Sequence, residues 1–171
     1  MISTMKHSLY LKIKPGEYKE WSAWVLSYKQ YNYPNDLDVV IKLIKNNLQL
    51  KFVPPKYREY NLGNPMFGHC YHVTQALYYF FKDANLKVMS AKCEGPAEAH
   101  WWLQDGDTII DATVEQYDEF NFSPPYDKGK ESNWYAWKKR PNRKSQDLMK
   151  LVQPDAELEY EQYLPRPKQS Y

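Results

Sequence analysis

Three side chains far apart along the chain have the types needed for covalent acyl chemistry: Cys70, His100 and Asp111. A thiol nucleophile needs a base to take its proton, and an imidazole serves best when a carboxylate fixes its tautomer and steadies the charge it gains. Local patterns put each residue on its own element. From Cys70 onward, Val73, Ala76, Leu77, Phe80 and Phe81 recur at helical spacing, so Gly68–His69–Cys70–Tyr71 opens a helix that ends around Asp83–Asn85. Three strand candidates follow, Leu86–Cys93, Ala99–Gln104 and Asp107–Asp111. With Asp105–Gly106 as a two-residue turn, Gln104 faces Asp107, Trp102 faces Ile109 and His100 faces Asp111. Directly opposed residues share a face with Cβ atoms roughly 5 Å apart, which suits a carboxylate holding an imidazole.

At a helix N-terminus the Cys70 thiolate is favoured by the dipole and by N–H groups without intrahelical partners, and the same groups can hold an oxyanion. Asn64 is a candidate amide donor to that oxyanion, and His69 a support for the turn. Thr113 and Gln116, just past Asp111, are candidates to support the carboxylate by hydrogen bonds. Strand alternation sets Trp101 and Leu103 against the His100 and Trp102 face, so Trp101 is expected in the core and Trp102 at the border of a substrate cleft. Cys93 is expected to pack in its strand. His69, His72 and His100 with Cys70 raise a metal alternative, but their spacing matches no zinc signature, so neither metal nor other cofactor is expected. Asp118 and Asp127 read as loop carboxylates.

The order of Cys at a helix start, His on a strand and Asp on the next resembles the papain-like and transglutaminase-like thiol enzymes. More closely, Gly68–Tyr71, His100–Leu103 and Ile110–Tyr117 resemble an uncharacterised family found largely in bacteriophages, a likeness running from about Asn61 to Val152 and including Pro124–Gly129. That resemblance implies Cys70 as nucleophile, His100 as general base and acid, and Asp111 as the orienting carboxylate. Asn64 stands six residues before Cys70, where papain-like peptidases place an oxyanion-hole Gln, and here the residue is Asn. The phage likeness implies work in the cytoplasm of an infected bacterium, on a protein or peptide substrate that belongs to the host.

Other elements must position the trio. His7–Ile13 alternates as a strand, whereas Tyr18, Trp21, Val25 and Tyr28 recur at helical spacing. Asn35 or Asp36 can cap a second helix carrying Leu37, Val40, Ile41, Ile44 and Leu48. Asn61–Gly63–Asn64–Pro65 reads as an irregular loop, and Arg143–Val152 as a last helix. The chain of 171 residues is therefore expected to hold one α+β domain over 1–152, a Cys-bearing helix packed on an antiparallel sheet that carries His and Asp, with N-terminal helices. Residues 153–171, with four acids, two bases and no periodicity, read as a flexible polar tail.

Composition removes several alternatives. Mean hydropathy is −0.80, no stretch approaches the roughly 20 apolar residues of a membrane helix, and Met1–Tyr10 lacks a signal peptide's apolar core. Two cysteines are too few for a disulfide framework and suit a reducing compartment. With 23 basic and 21 acidic side chains, no global field steers the chain toward nucleic acid. Locally, 128–150 holds eight bases and two acids around Trp134, Tyr135 and Trp137, the pattern of phosphate contact with base stacking. The competing reading is thus a non-catalytic phage protein that captures nucleic acid or a host protein through that segment, including Lys138, Lys139 and Arg140.

Overall fold

The computed structural model describes residues 21–26, 28–132, 141–154 and 158–163, with side chains described over 28–132 and 141–154. The chain divides into two compact units, 1–27 with 157–171, and 28–156. In the first, β1 (Trp21–Leu26) pairs antiparallel with β6 (Leu158–Tyr163), from Trp21 opposite Tyr163 to Leu26 opposite Leu158. The helix expected through Trp21 and Val25 is therefore a strand. A run with both aromatic and β-branched residues took the extended form because a ladder partner reaches it from the far end of the chain. That partner lies within the segment whose composition suggested a tail. The strand expected at His7–Ile13 lies outside the described residues.

The second unit is mixed helix and sheet. Helices α1 (Leu37–Asn46), α2 (Arg58–Gly63) and α3 (Cys70–Phe80) precede β2 (Lys87–Lys92), β3 (Ala99–Asp105), β4 (Thr108–Ile110) and β5 (Lys130–Glu131), and α4 (Arg143–Val152) follows. The four strands form an antiparallel sheet in the order β4-β3-β2-β5. Where an irregular loop was expected at Asn61–Gly63, α2 forms instead, and the side-chain amide of its Asn61 holds the carbonyls of Pro65 and Phe67. Asp36 stands at the N-cap of α1 without capping it; its carboxylate accepts from Asn32 N–H at 2.8 Å.

Central in this unit is α3, which contacts β3, α4 and α1 and buries nearly its whole circumference. Val73, Ala76, Leu77 and Phe80 meet a core completed by Val40, Ile44, Val88, Leu103, Leu148 and Met149. The polar side of α3 is tied down as well. Gln75 Oε1 accepts from Asn142 N–H and Ser145 Oγ, each at 2.7 Å, while Asn142 caps α4 by accepting Ser145 N–H.

The register of β3 and β4 differs from the expectation. Asp105 lies opposite Thr108, Gln104 opposite Ile109 and Leu103 opposite Ile110, so the two turn residues are Gly106 and Asp107. Gly106 has φ +54°, and the first central position of a tight hairpin turn is where that conformation is wanted. Extrapolated, this register puts His100 level with Thr113. The shift is by two residues, so His100 and Asp111 keep a common face as diagonal rather than direct neighbours.

Because β4 ends at Ile110 while β3 extends to Ala99, the β4 side of Ala99–Trp101 has no strand beside it among the described residues. Cys93 N–H donates to Glu98 O, so by alternation residue 100 turns its peptide groups to β2, and residues 99 and 101 turn theirs to the vacated edge. Helix α3 fills that edge with side chains one turn apart: Thr74 Oγ1 donates to Trp101 O at 3.0 Å, and Cys70 Sγ lies 3.8 Å from Ala99 O. Thr74→Val keeps the volume and removes this bond. It should lower the unfolding free energy by about 1–2 kcal/mol, with Thr74→Ser near wild type, in urea titrations; equal stability of all three proteins would show that α3 docks by apolar packing alone.

Candidate active site

Gly68 sets the entry of Cys70 into α3. Its φ is +82°, and a Cβ there would meet Val53 Cγ1 at 2.8 Å, so only glycine fits the turn. His69 then occupies the N-cap position, and Cys70 is the first residue of the helix. The sulfur is buried, donating toward Ala99 O and receiving backbone hydrogen bonds from Trp101 and Tyr71. The expected helix-terminus thiolate is not the resting form. Burial pushes the thiol up to about 12, with smaller upward contributions from the Asp111 and Cys93 charges, and the two backbone bonds do not offset it.

His100 and Asp111 meet directly. Imidazole Nε2 and carboxylate Oδ2 are 2.6 Å apart, and the two side chains are 0% and 3% exposed. Asp111 collects three further donors: Tyr126 Oη at 2.7 Å on Oδ2, and Thr113 N–H at 2.9 Å and Thr113 Oγ1 at 3.2 Å on Oδ1. Burial alone would raise this carboxyl. The His100 bond and charge, Tyr126 and the Thr113 N–H outweigh burial and hold it below the usual carboxylate range. Thr113 thus sits where support for Asp111 was expected.

Gln116 supports the other side of the ring. Its Nε2 lies 3.1 Å from each of three acceptors, His100 Nδ1, Thr113 O and Thr113 Oγ1. An amide donating to Nδ1 leaves the ring proton on Nε2, where it donates to Asp111. Two amide hydrogens cannot fully serve three acceptors, so the Nδ1 contact can be released while Thr113 still holds the amide. Cys70 makes no hydrogen bond to the imidazole. It is instead held against the backbone on both sides of His100. The structure therefore joins His and Asp, and sets Cys beside them without joining it to the ring.

The remaining expected residues take different places. Asn64 donates from Nδ2 to Glu115 O at 3.0 Å and accepts Met66 N–H on Oδ1, so its amide fastens the 113–117 turn to the loop before α3. His69 Nδ1 and His72 Nε2 lie 2.7 Å apart in a buried pair, and the His69 side chain makes no cap hydrogen bond to the helix start. The burial of the two tryptophans is the reverse of that expected. Trp102 is wholly buried and stacks on His100 at 5.8 Å, so its surface is occupied by protein, whereas Trp101 is half-exposed with its ring against Tyr71. The alternation was right in period, but α3 lies at the edge of β3 and the loop carrying Tyr126 and Gly129 covers the His100 face.

Two tyrosines were not singled out from the sequence. Tyr126 clamps Asp111, and Tyr117 lays its ring edge-on to His100 at 5.0 Å while its hydroxyl lies 3.2 Å from Cys93 Sγ. The one signal for Tyr126 was the Pro124–Pro125 pair that stiffens its approach. Among the described residues no group of three or more His, Cys, Asp or Glu side chains is placed to hold a metal ion, and no helix is long and apolar enough to cross a membrane. Segment 133–140, with Trp134, Trp137, Lys138, Lys139 and Arg140, lies outside the described residues.

Neither a protein-family model, nor a curated protein, nor a solved structure matches the chain. The functional reading therefore stands on the site's own geometry.

Burial, with the Lys144 charge, holds His69 down at about 4, and burial with its neighbours His69 and Lys144 holds His72 well below the ordinary imidazole range. For groups lowered in the folded state, the unfolded chain binds more protons, so stability should fall as pH drops from about 6.5 toward 4. Asp111, also lowered, contributes above the ordinary carboxyl pKa, and that contribution is lost only further down, as pH falls through its folded value. Urea midpoints measured between pH 7 and 4.5 should decline steadily on account of the histidines. A flat profile over that range would contradict the buried neutral pair.

Proposed function

We propose that this protein is a thiol-dependent hydrolase or acyl transferase in which Cys70, His100 and Asp111 form and resolve an acyl-enzyme on a protein or peptide. The observation that carries the proposal is the placement of a thiol at the start of α3 against the backbone flanking His100, whose ring is already oriented by a saturated, ionised Asp111. A papain-like or transglutaminase-like arrangement accounts for that placement. The resemblance to phage proteins adds a host protein as the target, within the infected cell.

In the reaction so proposed, Gln116 releases Nδ1 and keeps its Thr113 contacts. Cys70 transfers its proton to Nδ1 as sulfur attacks the carbonyl carbon of an amide, thioester or isopeptide, which avoids forming a buried thiolate in advance. The resulting imidazolium is stabilised through Nε2 by Asp111. Backbone N–H groups at the start of α3 are the donors available to the oxyanion, since Asn64 is engaged elsewhere. Collapse of the adduct breaks the carbonyl bond to the leaving group, which takes the proton from Nδ1. Water then gives hydrolysis of the thioester, and an amine gives transfer, with the thiol restored in either case.

Nucleic-acid capture through 128–150 is the weaker reading, because nothing in such a role calls for a buried imidazole–carboxylate pair beside a thiol. The gating by Gln116 makes the enzyme reading testable. Iodoacetamide should label Cys70 slowly in the wild-type protein, and Gln116→Ala should raise that rate about tenfold without changing Cys93. Adding His100→Ala should erase the gain, as read by intact mass and peptide mapping. A gain that survives the loss of His100 would mean that Gln116→Ala merely opened the site, and would remove His100 from the mechanism.

A further inference from the structure

A second feature lies at the start of α3. A cavity of about 400 Å³ is lined by Arg143 and Lys144 together with Phe52, Pro54, Tyr71 and His72. The volume falls within the range of ligand pockets. Arg143 and Lys144 are the first two residues of α4, where the free N–H groups already carry positive charge and acidic side chains are the favourable choice. Their own backbone N–H groups precede the first intrahelical bond, which Gln146 makes to Asn142 O.

Arg58 adds a third cation, close enough that its charge, after burial, helps to lower the Lys144 ammonium. Among the described residues, the ion pairs are Lys45–Glu115, Lys56–Glu98, His100–Asp111 and Lys128–Glu94. None reaches Arg58, Arg143 or Lys144. Two like charges and a helix end therefore line a partly apolar concavity, with Arg58 near Lys144 and none of the three in an ion pair among the described residues, an arrangement that an incoming anion relieves.

The cavity also has a fixed relation to the thiol. Tyr71 follows Cys70, with its Cα about 3.8 Å further on, and its ring contacts Trp101, the neighbour of His100. We propose that this groove receives a carboxylate of the peptide substrate between Arg143 and Lys144, with the adjoining chain against Phe52, Pro54 and Tyr71, so that the acyl group to be attacked is brought to Cys70. The proposal rests on the acyl-transfer reading above. It assigns the substrate class: peptides carrying an acidic side chain or a free C-terminal carboxylate close to the reacting carbonyl.

Binding must be read apart from chemistry, so the test uses full-length Cys70→Ser protein, which leaves the groove intact. Two N-acetylated, C-amidated tetrapeptides serve as probes, Glu-Glu-Ala-Gly and Gln-Gln-Ala-Gly, alongside inorganic phosphate and a thymidine octanucleotide, followed by NMR shifts of Tyr71 and Lys144. The glutamate peptide should bind at least tenfold more tightly than the glutamine peptide. Arg143→Gln with Lys144→Gln should erase that preference, and Arg143→Lys with Lys144→Arg should keep it. Because Lys144 helps to hold His69 down, bound peptide should also move the His69 titration upward from about 4.

Equal affinity for the two peptides, or a preference that survives both glutamine substitutions, overturns the proposal. Tighter binding of the octanucleotide than of the glutamate peptide overturns it in favour of nucleic acid, and phosphate binding without discrimination between the peptides overturns it in favour of a simple phosphate site. All four outcomes are independent of whether Cys70 forms an acyl-enzyme. A failure here leaves the thiol reading to its own test.

Discussion

A strand edge left without a strand governs this molecule. Once β4 ends at Ile110, the peptide groups of Ala99 and Trp101 point away from β2 with no ladder to join among the described residues. Buried backbone groups without partners are costly, so another element must supply them. Helix α3 does so through Thr74 and Cys70, and that docking fixes the helix N-terminus beside His100. The polar ties between α3 and α4, through Gln75, Asn142 and Ser145, then follow from a helix that is surrounded on nearly all sides.

Burial sets the electrostatic character of the site. The same enclosure that lets Asp111 hold His100 tightly makes an isolated thiolate at Cys70 unfavourable, and it holds His69 and His72 neutral. A charge survives in this interior only where donors saturate it, as the four around Asp111 do. The resting state accordingly has a neutral thiol and one carboxylate saturated by protein donors. Proton transfer coupled to attack fits such a site better than a standing ion pair.

Local signals in the sequence were sufficient where the structure is local. The start of α3 at Cys70 follows from Gly68 and the apolar spacing behind it, and α4 spans Arg143–Val152 as its pattern indicated, capped by Asn142. The pairing of His100 with Asp111 was legible for a particular reason: the hairpin register was off by two, and an even slip preserves the face. What failed depended on distant partners. Trp21–Leu26 has helical spacing but meets Leu158–Tyr163 in a ladder, and Trp102 is covered by Tyr126 and Gly129, which arrive on a loop with no periodicity. The thiol's protonation was misjudged because a helix terminus is visible in sequence and the depth of its burial is not.

The central claim is that His100 and Cys70 act as one unit across the edge of β3. Single-turnover acylation of Cys70 by a small thioester, followed by intact mass in the wild type, His100→Ala and Cys70→Ala, addresses it directly. General base catalysis of this kind contributes a factor on the order of 10²–10⁴. The wild type should acquire one acyl group at Cys70, His100→Ala should do so at least about a hundredfold more slowly, and Cys70→Ala not at all. Equal acylation rates in the wild type and His100→Ala would contradict the account.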